Sequence, residues 1–176
     1  MKTEEQALFL KYANQTKAYF EWGCGESTLI VAEKTKRFFS VDNDDKWVDN
    51  IKDQVPNDIS GAVMYIQTGK VDEDGFPLSS STKNWEWYSK IWFMHHKDTE
   101  LVFLNGRFRV ACAMQVWMTK YDGIVLLADC DKPEYDVIKA MFDVVEQDGS
   151  LAVMKRKDGP LKWGLDVYNE YKLNPQ

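Results

Sequence analysis

The sequence lacks several features that would assign the chain to a common class. No stretch approaches the roughly 20 consecutive apolar residues of a membrane span, and the polar, acidic start differs from a secretory signal. The three cysteines are scattered and odd in number, so neither a disulfide framework nor a zinc site is indicated. We therefore expect a cytoplasmic protein that does not associate with a membrane.

Basic residues are also scarce. The net charge is −6, and Lys155-Arg156-Lys157 is the only dense basic cluster. Because nucleic-acid binding depends on basic patches that neutralise phosphates, this balance argues against a nucleic-acid partner and favours a small-molecule substrate. We expect residues 1–176 to form a single domain, and the sequence leaves the oligomeric state open.

The most informative segment is a glycine loop. Residues 21–28 read Glu-Trp-Gly-Cys-Gly-Glu-Ser-Thr, between a short apolar run and a stretch of good helix formers. Asp42 ends the next apolar run, at a distance from the loop that is typical of an acid binding ribose hydroxyls. Thr28 replaces the third glycine of a dinucleotide loop, and no Gly-Lys-Ser/Thr phosphate loop is present. The pattern predicts a site for a nucleoside cofactor without phosphates; a tight turn without a ligand is the alternative.

The residue types of this segment suit such a ligand. Gly23 and Gly25 leave no Cβ between the loop and a bound molecule. Ser27 and Thr28 can cap the following helix and present hydroxyls to the ligand. Glu21 would repel a diphosphate and attract a cationic ligand, or it would form a strand-end salt bridge.

Strands and helices alternate along the chain. The predicted strands cover residues 18–22, 37–42, 62–67, 101–104, 123–128, 141–147 and 150–155, and the predicted helices cover residues 4–12, 27–35, 44–54, 107–119 and 133–140. Asp148-Gly149 between two β-prone runs predicts a hairpin. Residues 69–100 form a long connector with a predicted aromatic helix in its second half. A connector of this length is typical of a functional segment, and we interpret it as a candidate lid.

The loop and the acid after the second strand resemble motif I and its successor in the class I methyltransferases that use S-adenosylmethionine. Further motifs resemble those of one small methyltransferase-like group: Glu-x-Gly-x-Gly-x-Ser-Thr at 21–28, Ser40-Val41-Asp42 before Trp47, Gly75-Phe76-Pro77, Asn105-Gly106-Arg107-Phe108-Arg109, and Pro133-Glu134-Tyr135. The resemblance covers about residues 18–156. It implies an α/β, Rossmann-like sheet of seven strands in the order 3-2-1-4-5-7-6, with strand 7 antiparallel and helices on both faces.

Position in the predicted fold and side-chain chemistry suggest roles for individual residues. Asp129 is the candidate general base, Asn105 closes strand four beside the reacting methyl group, and His95 is a candidate proton shuttle. The arginines could instead form surface ion pairs, and the aromatic residues could instead seal the core. The cofactor-binding residues are predicted to be Glu21, Gly23, Cys24, Gly25, Ser27, Thr28, Asp42, Asn43, Gln67, Thr68 and Asn105, and the substrate-binding residues Arg107, Arg109, Trp85, Tyr88 and Tyr135.

The expected activity is methyl transfer from S-adenosylmethionine to an oxygen or nitrogen nucleophile, on a small molecule or a sugar. Asn105 stands where related metal-dependent enzymes carry Asp. Because an amide oxygen is a weaker ligand for a hard divalent ion than a carboxylate, we expect no metal site at Asn105, Asp129 and Asp131. The same replacement supports an alternative in which the fold binds the cofactor or a partner without turnover. A nicotinamide-dependent oxidoreductase and a nucleic-acid methyltransferase are further alternatives.

Overall fold

The structure is a computed structural model that describes residues 2–35, 37–56, 61–78 and 84–176. Its strands are β1 (Ala18–Trp22), β2 (Arg37–Asp42), β3 (Gly61–Tyr65), β4 (Leu101–Leu104), β5 (Ile124–Leu127), β6 (Phe142–Asp148) and β7 (Leu151–Arg156). The α-helices of the described residues are α1 (Thr3–Ala13), α2 (Glu26–Ala32), α3 (Asp45–Lys52), α4 (Trp85–Lys90), α5 (Arg109–Met118), α6 (Asp136–Met141) and α7 (Leu161–Tyr171).

All seven strands form one sheet in the order β3-β2-β1-β4-β5-β7-β6. The strands from β3 to β5 run parallel, and β7 pairs antiparallel with both β5 and β6. The predicted strand order and the antiparallel seventh strand are therefore confirmed. Because β1, β2 and β4 are parallel neighbours, the residues that follow Trp22, Asp42 and Leu104 meet at one edge of the sheet.

Helices cover both faces of the sheet, as predicted. Along β1, Phe20 and Trp22 point into a core shared with α4, α5, α6 and α7, whereas Tyr19 points into a core shared with α1, α2 and α3. This alternation follows from the two-residue period of a strand. Both faces of β1 are buried along its whole length, so its outermost residues are fixed firmly in place.

Most predicted elements lie within a few residues of their predicted ends. The predicted hairpin at Asp148-Gly149 is confirmed, with Gly149 in the left-handed region at a φ of 55°. The helix after β4 begins at Arg109 and not at residue 107, because Phe108 has a φ of 55° and cannot continue a right-handed helix. Helix α7 was not predicted at all. None of the helices in the described ranges is long and apolar enough to cross a lipid bilayer.

The connector between β3 and β4 contains two ordered parts. Residues 70–78 fold into a small hairpin, in which Val71 pairs with Pro77 and the Leu78 N–H donates to the Lys70 carbonyl. The predicted aromatic helix is α4, which two short 3₁₀ turns follow (Ile91–Met94 and His96–Asp98). Residues 79–83 of the candidate lid lie outside the described residues.

We predict that Gly164→Ala destabilises the protein. Alanine normally stabilises a helix by about 1 kcal/mol relative to glycine, but a Cβ at Gly164 would lie 2.7 Å from the Trp117 ring and 2.9 Å from Met118. Overpacking of this kind costs about 1–3 kcal/mol. Urea unfolding should therefore show a lower free energy of unfolding. Asn169→Ala, an exposed change on the same helix, is the control and should not lower it; a Gly164→Ala variant as stable as this control would contradict the described packing of α7 on α5.

Candidate functional site

A cavity of about 280 Å³ opens at the edge of the sheet where β1, β2 and β4 end. Residues from the loops after these three strands and from the hairpin at 70–78 form its walls. They are Gly23, Cys24, Asp42, Asn43, Asp44, Trp47, Glu73, Asp74, Gly75, Asn105, Gly106, Arg107 and Arg109. The structure thus brings together five of the predicted cofactor-binding residues: Gly23, Cys24, Asp42, Asn43 and Asn105.

The floor of the cavity is a close contact between two glycines. Gly23 has a φ of 94°, and a Cβ on it would lie 2.4 Å from the Gly106 nitrogen. A Cβ on Gly106 would lie 2.3 Å from the Tyr88 hydroxyl and 2.7 Å from the Gly23 nitrogen. No side chain fits at either position, so the backbone of the floor is directly accessible to a ligand.

Glu21 lies beneath this loop and does not line the cavity. Its carboxylate is fully buried and accepts hydrogen bonds from four hydroxyls. Tyr19 and Ser27 donate to Oε2 at 2.7 and 2.6 Å, and Ser40 donates to Oε1 at 2.6 Å. Thr28 also donates to Oε1 and accepts from the Gly25 N–H at 2.9 Å. The prediction that Glu21, Ser27 and Thr28 contact a ligand directly is corrected. These side chains are hydrogen-bonded to one another and support the loop.

Asp42, at the end of β2, is one of the carboxylates that line the cavity. Its Oδ1 accepts the N–H groups of Asn43 and Asp44 at 2.7 and 3.1 Å, which fixes its orientation. Burial raises the pKa of Asp42 to about 6. Opposite, the Trp47 indole N–H donates to the Cys24 carbonyl at 2.6 Å and holds a half-exposed aromatic ring against the loop. Burial, with the nearby carboxylates, raises the pKa of the Cys24 thiol, which makes Cys24 a packing residue and not a nucleophile.

The hairpin at 70–78, which we call the strap hairpin, forms one wall. The Asn43 side-chain amide donates to the Gly75 carbonyl at 2.9 Å and to the Thr68 hydroxyl at 3.1 Å. The Arg107 guanidinium lies 3.6 Å above the Phe76 ring and donates to the Asp74 carbonyl. Residues after β2 and after β4 therefore hold the strap hairpin from both sides of the cavity.

A second cavity of about 690 Å³ adjoins the first and shares Asn43, Asp44 and Glu73 with it. Gln67 lines this second cavity. Thr68 is buried, and its carbonyl accepts from the Trp85 indole at 2.7 Å. The structure thus places Gln67 one cavity away from Asp42 and places Thr68 under the strap hairpin.

Arg109 and Asp129 join the ends of β4 and β5. The buried Arg109 donates to the carbonyls of Asn105, Gly106 and Ala128 and forms a 2.9 Å ion pair with Asp129. Burial alone would raise the pKa of Asp129, but Arg109 and Lys132 hold it below its ordinary value. Four of the five Arg109 N–H groups are bonded to Asn105, Gly106, Ala128 and Asp129, and a carboxylate with a lowered pKa is a weak base. This arrangement disfavours Arg109 as a substrate ligand and Asp129 as a general base, and both roles stay predictions.

The predicted substrate-binding aromatics belong to the core. Trp85 and Tyr88 pack on Phe108. Tyr135 is buried, and its ring centre lies 5.1 Å from the Arg109 guanidinium carbon. The alternative in which the aromatic residues of the connector seal the core therefore holds for Trp85, Tyr88 and Trp92, whereas Trp87 is exposed. The Tyr88 hydroxyl is fully buried beneath Gly106 and has no hydrogen-bond partner within the described chain.

His95 lies at the opposite edge of the sheet. Its ring stacks on Phe39 at 3.7 Å, in a hollow lined by the first residues of three strands, Ala18, Arg37 and Gly61. The structure therefore does not bring His95 to the cavity, and its predicted catalytic role is corrected. Adjacent histidines in a loop carried no information about which end of the sheet they would reach.

Sequence reasoning assigned no ligand role to several residues that line the cavity: Trp47, Glu73, Asp74, Gly75 and Gly106. A signal existed for three of these positions, since Trp47, Gly75 and Gly106 belong to the motifs quoted above. The run Asp72-Glu73-Asp74-Gly75 indicates a turn but not where that turn packs. In the described ranges, no group of His, Cys, Asp and Glu side chains has the arrangement of a metal site.

Comparison with known proteins identifies the fold. No family model matches the chain, and no curated protein matches it. The structure is similar to that of a methyltransferase-like protein from Silicibacter pomeroyi, with a TM-score of 0.85 and 19% identity over 100% of this chain and 96% of that one. It is also similar to the N-methyltransferase NodS from Bradyrhizobium japonicum, solved in complex with S-adenosyl-L-homocysteine, with a TM-score of 0.51 and 13% identity over 86% of this chain and 85% of that one. At these identities the likeness establishes the fold, which is that of the class I methyltransferases.

We predict different outcomes for the two arginines of the cavity wall. Arg109→Ala removes the partner of Asp129 and leaves three main-chain carbonyls without their donor, so we expect a loss of about 3 kcal/mol in the free energy of unfolding. Arg107→Ala, the matched control, removes a partly exposed side chain and should cost less than about 1 kcal/mol. Denaturant unfolding measures both, and equal losses would contradict the structural role of Arg109.

Proposed function

We propose that this chain binds S-adenosylmethionine in the cavity at the carboxyl edge of its sheet and transfers the methyl group to an oxygen or nitrogen nucleophile. The observation that carries the proposal is the meeting of the Gly23-Cys24-Gly25 loop and Asp42 at one cavity of a methyltransferase fold. The acceptor is a small molecule or a sugar.

The residues present fit this cofactor. The Gly23–Gly106 floor offers bare backbone to the amino-acid end of the ligand, and the Asp42 carboxylate can accept from both hydroxyls of a ribose. The half-exposed Trp47 ring supplies an apolar wall. Four carboxylates line the cavity against two arginines, and Arg109 is already paired. This balance disfavours a diphosphate and favours a cationic ligand without phosphates, which also argues against the nicotinamide cofactors.

Several roles follow for this chain's own residues. Asp42 binds the ribose, and Gln67 lies in the adjoining cavity where the base of the nucleoside would extend. Asn105 lines the cavity at the end of β4, where its amide group could orient the reacting groups. Arg107 has one main-chain carbonyl as its hydrogen-bond partner in the described chain and is therefore the arginine available to an acidic substrate group.

The proposed mechanism relies on positioning. When bound, S-adenosylmethionine supplies an electrophilic methyl group on a positively charged sulfur. The glycine floor and the strap hairpin would hold the reactants in line and exclude water, which is the main source of acceleration for a direct transfer. A base is needed only if the acceptor loses a proton as it attacks. Asp129 is paired and His95 is distant. The described residues of the cavity therefore favour an acceptor that can attack without a general base, such as a neutral amine.

A second candidate function is binding without turnover. Asn105 replaces an acid at the end of β4, and Asp129 is committed to Arg109 and Lys132. Both observations favour a protein that keeps the cofactor pocket but lacks a general base. The acidic walls of the cavity argue against a nucleic-acid substrate under either reading.

Calorimetric titration with S-adenosylmethionine and S-adenosylhomocysteine tests the proposal. We expect both ligands to bind, and we expect Asp42→Ala to abolish binding because the ribose loses its carboxylate partner. Asp49→Ala, which removes an exposed acid from α3, is the matched control and should leave the affinity unchanged. The absence of binding at millimolar ligand would rule out both functions. Turnover with a panel of small amines, alcohols and sugars then separates an enzyme from a binding protein.

The raised pKa of Asp42 predicts a pH dependence of binding. An ionised carboxylate accepts from the ribose hydroxyls and a protonated one accepts less well, so the Kd for S-adenosylhomocysteine should rise as the pH falls through about 6. Asp42→Asn should bind weakly with no such dependence between pH 5 and pH 8. A wild-type Kd that is constant over this range would contradict the assignment.

The stability of the unliganded protein supplies the control for Asp42→Asn. Because the folded-state pKa is raised from 3.8 to about 6, folding favours the protonated acid. The stabilisation from the acid is fully present below the unfolded pKa and is lost as the pH rises through 6. We therefore compare the melting temperature of Asp42→Asn with that of wild type at each pH. The difference in favour of the variant should be larger at pH 8 than at pH 4.

A further inference from the structure

The strap hairpin is a wall of both cavities at the carboxyl edge of the sheet. Gly75 lines the first cavity, Leu78 lines the second, and Glu73 lines both. The first cavity, of about 280 Å³, is smaller than the roughly 300–1,000 Å³ of pockets that enclose a drug-sized ligand. A ligand that reaches from Asp42 in the first cavity to Gln67 in the second therefore extends along the strap hairpin.

The chain enters the strap hairpin through a fixed residue followed by a glycine. Thr68 is fully buried, its carbonyl accepts from the Trp85 indole at 2.7 Å, and its hydroxyl accepts from the Asn43 amide at 3.1 Å. Gly69 comes next, with a φ of 99°. Because glycine changes its backbone angles at little steric cost and hinges are a few residues that absorb such changes, the hairpin can turn about Gly69 while Thr68 stays in place.

The strap hairpin itself is a compact unit. The Asp72 carboxylate accepts the N–H groups of Asp74 and Phe76 at 3.0 and 2.9 Å, and the Asp72 N–H donates to the Phe76 carbonyl at 3.0 Å. Within residues 70–78, Pro77 is the one buried residue. A segment with internal hydrogen bonds and little buried apolar surface can separate from the protein body as one piece at low cost.

Arg107 joins the strap hairpin to the loop after β4. Its guanidinium carbon lies 3.6 Å from the centre of the Phe76 ring, and the side chain donates to the Asp74 carbonyl. Arg107 and Phe76 are both partly exposed, so their contact is weak enough to break and form again. Phe76 lines neither of the two cavities. A substitution at Phe76 therefore acts on the contact with Arg107 and not directly on a ligand.

We infer that the strap hairpin is a gate, which opens about Gly69 to admit and release the ligand and closes over it, and that the contact between Arg107 and Phe76 holds the gate closed. The inference rests on the proposed function and adds to it a control of ligand exchange. The contact lies within the protein and forms in the closed state with or without ligand. It therefore lowers the open fraction equally in both cases, and its loss should speed association and dissociation by the same factor.

Stopped-flow binding of S-adenosylhomocysteine to Phe76→Leu tests the gate, with tryptophan fluorescence as the signal because Trp47 lines the cavity. We expect both rate constants to rise about two- to fivefold, which corresponds to the loss of a partly exposed cation–π contact, and we expect the Kd to stay as in wild type. Phe93→Leu is the matched control. It makes the same change at an exposed phenylalanine on the 3₁₀ turn before His95 and should leave both rate constants unchanged.

A double-mutant cycle tests whether Arg107 and Phe76 act through one contact. Arg107→Ala alone should also raise both rate constants. Phe76→Leu added to Arg107→Ala should raise them no further, because the cation–π contact is already absent. Effects of the two substitutions that multiply in the double variant would overturn the assignment of this contact to the gate.

The outcomes separate this inference from the proposed function. Failure of S-adenosylhomocysteine to bind wild type overturns the proposed function and this inference with it. Binding with rate constants that Phe76→Leu leaves unchanged overturns the inference alone. A change in one rate constant without the other also overturns it and makes the strap hairpin a static wall of the site.

Discussion

The contact between the backbones of Gly23 and Gly106 is the constraint on which the site depends. The loop after β1 and the loop after β4 approach so closely that neither position has room for a Cβ. The Gly23 N–H donates to the Val41 carbonyl at 2.7 Å, and the Asn105 N–H donates to the Trp22 carbonyl at 3.0 Å. The ends of three neighbouring strands are thereby joined, and Asp42 and Asn105 are placed at fixed positions around a floor of bare peptide groups.

The architecture was largely predictable because its elements are defined by local patterns. Strand runs, helix periods and the Asp148-Gly149 turn each depend on neighbouring residues. Helix α7 was missed because its most apolar residues do not form its buried face. Leu161, Trp163 and Leu165 are all exposed. Its buried face consists of Gly164, which lies against Trp117 and Met118 of α5, and Tyr168. Only the position of α5 determines which face of this segment is buried.

The site was predictable where one short segment determines it. Gly23, Cys24, Asp42 and Asn43 line the cavity because each ends a strand or lies within two residues of its end, and the parallel sheet sets the direction of these strands. Distant partners were not predictable. Whether Asp129 acts as a base depends on a guanidinium twenty positions earlier in the chain. The wall contributed by the strap hairpin likewise depends on Asn43 and Arg107, which no local pattern connects to Gly75 or Asp74.

The cluster around Glu21 has a consequence for how this sequence can change over time. Its acid and four hydroxyls satisfy one another away from water, so losing the acid alone leaves buried hydroxyls without an acceptor, each at a cost of about 1–3 kcal/mol. Losing one hydroxyl weakens the hold on the acid. We therefore expect coupled substitutions at positions 19, 21, 27, 28 and 40. Homologous sequences that replace the acid with an apolar residue should also replace its hydroxyl partners.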